Sequence, residues 1–209
     1  MKLRLLLATA SAAAVTALNA QAVSYGNYEL AGLVGSGSNT SVCVFDFGAT
    51  TTNQYAFGYA YDGTVTGSDM LQALNAVPGL SIILNGDEIF GYYVFEITYA
   101  PTVMPVPYSI ISAFATAPNP SRYPNYWVAD GGQTGPIIWS SPWDYGISGR
   151  TLTNGSWDGF TQSTYFPGPT YAEDRFETFA PSGAFAVVPE PTALGLLALG
   201  GLALFRRRR

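Results

Sequence analysis

The sequence predicts a mainly β (α+β) protein: one compact antiparallel or mixed β domain with a single short helix near residues 68–76, an N-terminal signal helix and a C-terminal transmembrane helix. Three observations carry this. Strand-sized apolar runs are bounded by Gly, Pro, Asn and Asp turn signals. Several runs alternate with the period of two that a half-buried strand requires. One segment alone has helix start and stop signals.

Residues 42–47 form the first strand-sized run. Residues 55–61 are clearer, because Tyr55, Phe57, Tyr59 and Tyr61 fall on one face and Ala56, Gly58 and Ala60 on the other. Asp62-Gly63 then reads as a tight turn. Ser68 as a cap, Asp69 in the first turn, the stripe Met70, Leu71 and Leu74, and the stop at Pro78-Gly79 define the helix. Residues 80–84 lead into Asn85-Gly86, the strongest short hairpin signal. Residues 90–99 follow as a long strand with Tyr93, Phe95, Ile97 and Tyr99 on one side. Residues 100–125 are Pro-rich and weakly patterned, a surface loop or a boundary between sub-domains. Residues 126–128, 136–139, 160–166 and 184–188 complete the strand candidates.

Charge separates the body from its ends. Residues 23–188 hold three Arg, no Lys and thirteen acids, a net charge of −10, whereas the whole chain carries −5. At the N-terminus, Lys2 and Arg4 precede an apolar stretch through Val15, and Ala20-Gln21-Ala22 fits a small-x-small cleavage site. Residues 1–22 thus read as a signal peptide cut after Ala22, or alternatively after Ala20, and residues 23–187 as an extracytoplasmic domain. Residues 188–209 hold Pro189-Glu190-Pro191, an apolar run over 192–205, then Arg206, Arg207, Arg208 and Arg209. The run is fourteen residues, about 21 Å as a helix, a short membrane span that draws on its flanks. The Arg cluster prefers the cytoplasmic side, so the body faces away from it.

This tail resembles the PEP-CTERM sorting signal over roughly the last 22 residues. The resemblance implies recognition by exosortase, a membrane protease, with cutting near Pro189, Glu190 and Pro191. It further implies a transient inner-membrane anchor and then a cell-surface or extracellular location in a Gram-negative bacterium that makes exopolysaccharide or biofilm. A looser resemblance, carried by the short helix, Phe90-Gly91-Tyr92-Tyr93-Val94, Tyr126-Trp127 and Trp157, is to transcobalamin C-terminal-like β-grasp domains. It implies a mixed sheet with one helix; a β-sandwich is the other architecture the pattern allows.

Composition removes much chemistry. There is no His, which excludes His-based triads and most catalytic zinc sites. The single Cys43 lies in an apolar strand pattern and reads as a small buried hydrophobe. The acidic body argues against nucleic acid. The adjacent acids Asp87-Glu88 and Glu173-Asp174 point to opposite faces on a strand and define no shared site. The oxygen-rich turns lack a calcium-loop pattern, and no metal or cofactor is expected. Tyr123, Tyr126, Trp127, Trp139, Trp143, Tyr145 and Trp157 cluster in the second half, either as core fillers or as platforms for a sugar ring, with Trp127, Trp139, Trp143 and Trp157 the candidate ligand-stacking residues. The expected function is a non-enzymatic surface or matrix protein associated with exopolysaccharide; the alternative is a secreted carbohydrate-binding module or a carboxylate-based glycoside hydrolase.

Overall fold

The computed structural model describes residues 23–48, 53–87, 91–101, 107–111, 121–130, 136–142, 146–166 and 175–181. The signal segment 1–22, the candidate strand 184–188, the apolar run 192–205 and the terminal Arg cluster lie outside them. No helix among the described residues is long and apolar enough to cross a membrane.

Eleven strands and one helix are present among these residues. In chain order they are β1 (Val23–Tyr25), β2 (Tyr28–Leu30), β3 (Gly32–Gly35), β4 (Asn39–Asp46), β5 (Gln54–Tyr61), α1 (Gly67–Leu74), β6 (Leu80–Asp87), β7 (Gly91–Tyr99), β8 (Tyr108–Ile111), β9 (Ser121–Asp130), β10 (Ser156–Phe166) and β11 (Arg175–Glu177). The expected mainly β character holds, with mixed and antiparallel sheets.

The largest sheet has six strands and is built around β10. Strand β9 pairs antiparallel with β10 from Ser156 to Tyr165 and occupies one edge. The other edge is shared: β4 runs parallel to it over Trp157 to Thr161, and β11 antiparallel over Thr164 to Phe166. Beyond β4 lie β5 and then β3. Strands β6, β7 and β8 make a separate three-stranded sheet, and β1 and β2 a hairpin. The β-grasp expectation gains no support, because the hairpin after the helix joins β8 in its own sheet instead of the sheet that holds β5.

Period two explains both faces of the large sheet. Cys43, Phe45, Tyr55, Phe57, Tyr61 and Phe160 point inward to α1 and to Ile82, Val94, Ile97, Tyr99 and Ile110 of the smaller sheet. Val42, Val44, Ala56, Ala129 and Trp157 point outward, beneath Tyr25, Tyr28 and Leu30 of the hairpin and Ile137 and Trp139. The alternation of β5 is as the sequence predicts.

Helix α1 starts a little earlier than expected. Thr66 is the N-cap, its Oγ1 accepting from the Asp69 amide while the Asp69 carboxylate accepts from the Thr66 amide at 2.8 Å. This reciprocal box satisfies two orphan donors of the first turn. Met70, Leu71 and Leu74 are fully buried, as their spacing requires.

Several other expectations are corrected. Asn85-Gly86 is not the hairpin turn. Both residues remain in the ladder, opposite Tyr93 and Tyr92, and pairing continues to Asp87 and Gly91. Asp62-Gly63 does not join two strands but leads from β5 towards α1; the Asp62 carboxylate accepts from the Ser38 amide and hydroxyl, both at 2.9 Å. In β7 the expected single face is broken by a bulge: Ile83 pairs with Glu96 and Leu84 with Val94, which leaves Phe95 as the extra residue. Ile97 and Tyr99 stay in the core, Val94 joins them, and Tyr93 turns outward to 53% exposure. Residues 136–139 make no strand. A single bridge joins Val128 to Ser140, with Ile137 and Trp139 packed inward and Ile138 exposed. The weakly patterned stretch 100–125 contains β8 and the start of β9.

One side chain fastens the two larger sheets together. Gln162 on β10 accepts from the Ile111 amide of β8 at 2.9 Å and donates to the Ile111 carbonyl at 3.1 Å and the Tyr123 carbonyl at 3.2 Å. Replacement by Leu strands backbone groups that are partly buried. Gln162→Leu should therefore lower stability by about 1–3 kcal/mol, read as a reduced urea midpoint; an unchanged midpoint would show that the joint carries no load.

Candidate functional site

The sequence-derived stacking candidates separate in the fold. Trp157 is fully buried, with its ring edge-on to Tyr25 at 6.0 Å and to Tyr28 at 4.9 Å, so it offers no face to a ligand. Its position on β10 explains this, since the hairpin β1–β2 covers that face. Trp139 is half-buried against the same cluster and overlies Gly159, where an added Cβ would come within 2.9 Å of its ring. Trp127 is half-buried, and its Nε1 donates to Thr161 Oγ1 at 3.1 Å. Trp143 lies outside the described residues, as do Glu88, Glu173 and Asp174. Cys43 is fully buried; burial, with Asp158 adding to it, holds its thiol well above the ordinary range and unreactive.

What the fold does bring together is a polar cluster on the inner face of β10. Asp158 pairs across the sheet with Cys43 of β4 and Val128 of β9. Its side chain is only 2% exposed. The Tyr126 hydroxyl donates to Asp158 Oδ2 at 2.6 Å, and Arg150 Nε to Oδ1 at 3.4 Å. Arg150 Nη2 also donates to Asp130 at 3.0 Å, whose carboxylate is 81% exposed. Gly67, first residue of α1, closes the group. A Cβ there would lie 2.9 Å from the Ile147 carbonyl and 3.1 Å from Asp158 Oδ2, so no larger residue fits without displacement.

Burial pushes the Asp158 carboxyl up to about 6, against Tyr126 and Arg150, which stabilise its charge. Burial also opposes the Arg150 charge, yet Asp158 and Asp130 outweigh it and the guanidinium pKa is raised. Burial and the neighbouring Asp158 drive the Tyr126 phenol upward, so it remains a hydrogen-bond donor.

This cluster holds the segment that follows Gly146. Gly67 donates its amide to the Arg150 carbonyl at 2.9 Å and Ser68 to the Ile147 carbonyl at 3.1 Å. Ser148 Oγ accepts from the Tyr92 amide at 2.8 Å. Beside it is a pocket of about 220 Å³ lined by Tyr92, Tyr93 and Val94 of β7, Tyr123, Pro124 and Tyr126 of β9, Phe160 of β10, and Gly146 and Ile147. Tyr126 and Phe160 stack at 5.1 Å with 22° between their planes. Tyr123 and Tyr126 belong to the aromatic cluster that the sequence marks, whereas Tyr92 and Tyr93 carry no such signal, and only the pairing of sheets places the four together.

The body is thus a β-sheet protein with a tyrosine-lined pocket braced by a buried ion-pair cluster, and its address is written outside it. Residues 187–209 match the family of the PEP-CTERM protein-sorting motif, which makes the chain an exported protein targeted by exosortase, with a C-terminal signal for sorting to the cell surface. No curated protein and no solved structure matches the chain.

The raised Asp158 carboxyl has a defined consequence for stability. The native state holds its proton up to about pH 6, whereas the unfolded chain releases it near 3.8. The contribution is fully present below about 3.8 and lost as pH rises through about 6. Relative to Asp158→Asn, the wild type should gain up to about 3 kcal/mol of unfolding free energy between pH 7 and pH 4. Urea unfolding of both proteins across that range measures it; a relative loss on acidification would reverse the sign and reject the assignment.

Proposed function

We propose that the mature body is a non-enzymatic component of the cell surface or extracellular matrix, associated with exopolysaccharide or biofilm. The observation that carries this reading is the sorting motif, which dedicates the chain to exosortase handling. In this reading the apolar run 192–205 holds the chain transiently in the inner membrane, with Arg206, Arg207, Arg208 and Arg209 on the cytoplasmic side. Cutting near Pro189, Glu190 and Pro191 then frees the body.

The character of the polar cluster supports a non-catalytic role. Asp130 and Asp158 are bridged by one guanidinium, and Asp158 is sealed from solvent. A glycosidase pair needs two carboxyls facing a sugar across roughly 5–9.5 Å. The tyrosine pocket favours a second reading, contained within the first, in which the body contacts matrix carbohydrate by binding alone.

Intact-mass measurement of the exported protein tests the sorting step. The expected mature form lacks residues 1–22 and the residues beyond the Pro-Glu-Pro region; a form ending at Arg209 contradicts it. Replacing Arg206, Arg207, Arg208 and Arg209 by Ser should weaken membrane retention before processing. Deleting the gene should reduce biofilm mass, and an unchanged matrix would count against the proposed role.

A further inference from the structure

We propose that the pocket between β7 and β9–β10 is a binding site for one uncharged pyranose ring of a neutral polysaccharide. The inference rests on the surface or matrix reading above and supplies its ligand class.

Size limits the occupant. At about 220 Å³ the pocket falls below the roughly 300–1,000 Å³ of sites that enclose drug-sized ligands. It suits a single six-membered ring of a longer chain rather than a folded peptide or a lipid tail. Lining chemistry limits it further. Four tyrosines and Phe160 supply flat apolar faces, which match the C–H faces of a pyranose. The Tyr126 hydroxyl is already committed to Asp158, and the phenols of Tyr92, Tyr93 and Tyr123 add groups that both donate and accept, which a purely aliphatic ligand would leave without exchange partners. Among the described residues no charged side chain lines the pocket, and the surrounding body carries −10. Uronic acids, phosphates and nucleotides therefore meet an unfavourable field.

The site is also held in shape before any ligand arrives. Tyr126 is fixed by Asp158 at 2.6 Å and by stacking on Phe160. The opposite wall is fixed where Ser148 accepts from Tyr92. Ile147 is anchored through its carbonyl to Ser68. A pocket with pinned walls orders fewer side chains on binding. The bulge at Phe95 turns Tyr93 out of the core to 53% exposure, and Tyr93 is one of the lining residues.

The test uses the full chain in a zwitterionic, sugar-free detergent, because alkyl glycosides would compete. Saturation-transfer NMR is run with hexasaccharides of α-glucan, β-glucan, β-xylan and β-mannan, and with oligogalacturonate and indole as charged and non-sugar probes. At least one neutral oligosaccharide should bind, and Tyr93→Ala and Tyr123→Ala should each weaken it about tenfold. Ile138→Ser, on the exposed segment against the other sheet face, should leave binding unchanged. Tyr93 is exposed, so its variant keeps the test valid even if Tyr123→Ala unfolds. The proposal is overturned if no neutral oligosaccharide binds, if Tyr93→Ala binds as tightly as wild type, or if oligogalacturonate or indole binds more tightly. Shortening of the glycan during incubation would instead overturn the non-enzymatic reading while leaving the site in place. Loss of binding alongside an intact deletion phenotype in biofilm would remove the site and leave the matrix role.

Discussion

A single carboxylate in the wrong solvent constrains this fold. Asp158 sits on the inner face of β10, paired across the sheet with Cys43 and next to Phe160. An uncompensated charge there would cost several kcal/mol, comparable with the whole stability of a domain. Compensation draws on three parts of the chain. Tyr126 comes from the neighbouring strand, Arg150 from the segment before β10, and close approach of α1 from a glycine at its first position. Each of these fixes something else. Arg150 fixes the segment from Gly146, that segment caps the start of α1 through two backbone hydrogen bonds, and Tyr126 becomes a rigid wall of the pocket.

Strand β10 can do this because it has a different neighbour for each part of its length. With β9 along one edge and β4 and β11 dividing the other, its eleven residues meet most of the large sheet. Its alternation then sends Trp157 to the hairpin side and Asp158 and Phe160 to the helix side. Gln162 continues the inner row and replaces strand pairing with a side-chain amide that holds β8. The sorting signal lies in three short features after residue 187, in the order Pro-Glu-Pro, apolar run and Arg cluster.

The features legible in the sequence were those governed by local chemistry. Residues 55–61 alternate without interruption and form β5 as read; the stripe Met70, Leu71 and Leu74 marked α1, although its cap is Thr66 and not Ser68. The tail was legible because order along the chain is all that it needs. What failed was whatever depends on pairing. Asn85-Gly86 carries a local turn preference, yet ladder pairing with Tyr93 and Tyr92 overrode it. The facing of Tyr93 was lost because a bulge adds one residue and inverts the period. Asp158 gave no signal as a core residue, since its partners Tyr126 and Arg150 are 32 and 8 positions away. The tryptophans misled for a related reason: large rings attract attention, but Trp157 lies beneath a hairpin that no periodicity revealed, while the tyrosines that line the pocket come from β7 and β9.

Asp158 organises the segment, the helix start and the pocket as one unit. The most direct test of this is a ¹³C NMR titration of the Asp158 carboxyl together with the amide signals of Gly67, Ser68 and Tyr92. A carboxyl midpoint near 6 is expected, with the three amides shifting at the same midpoint. A midpoint in the usual carboxylate range, or amides that do not follow the carboxyl, would contradict it.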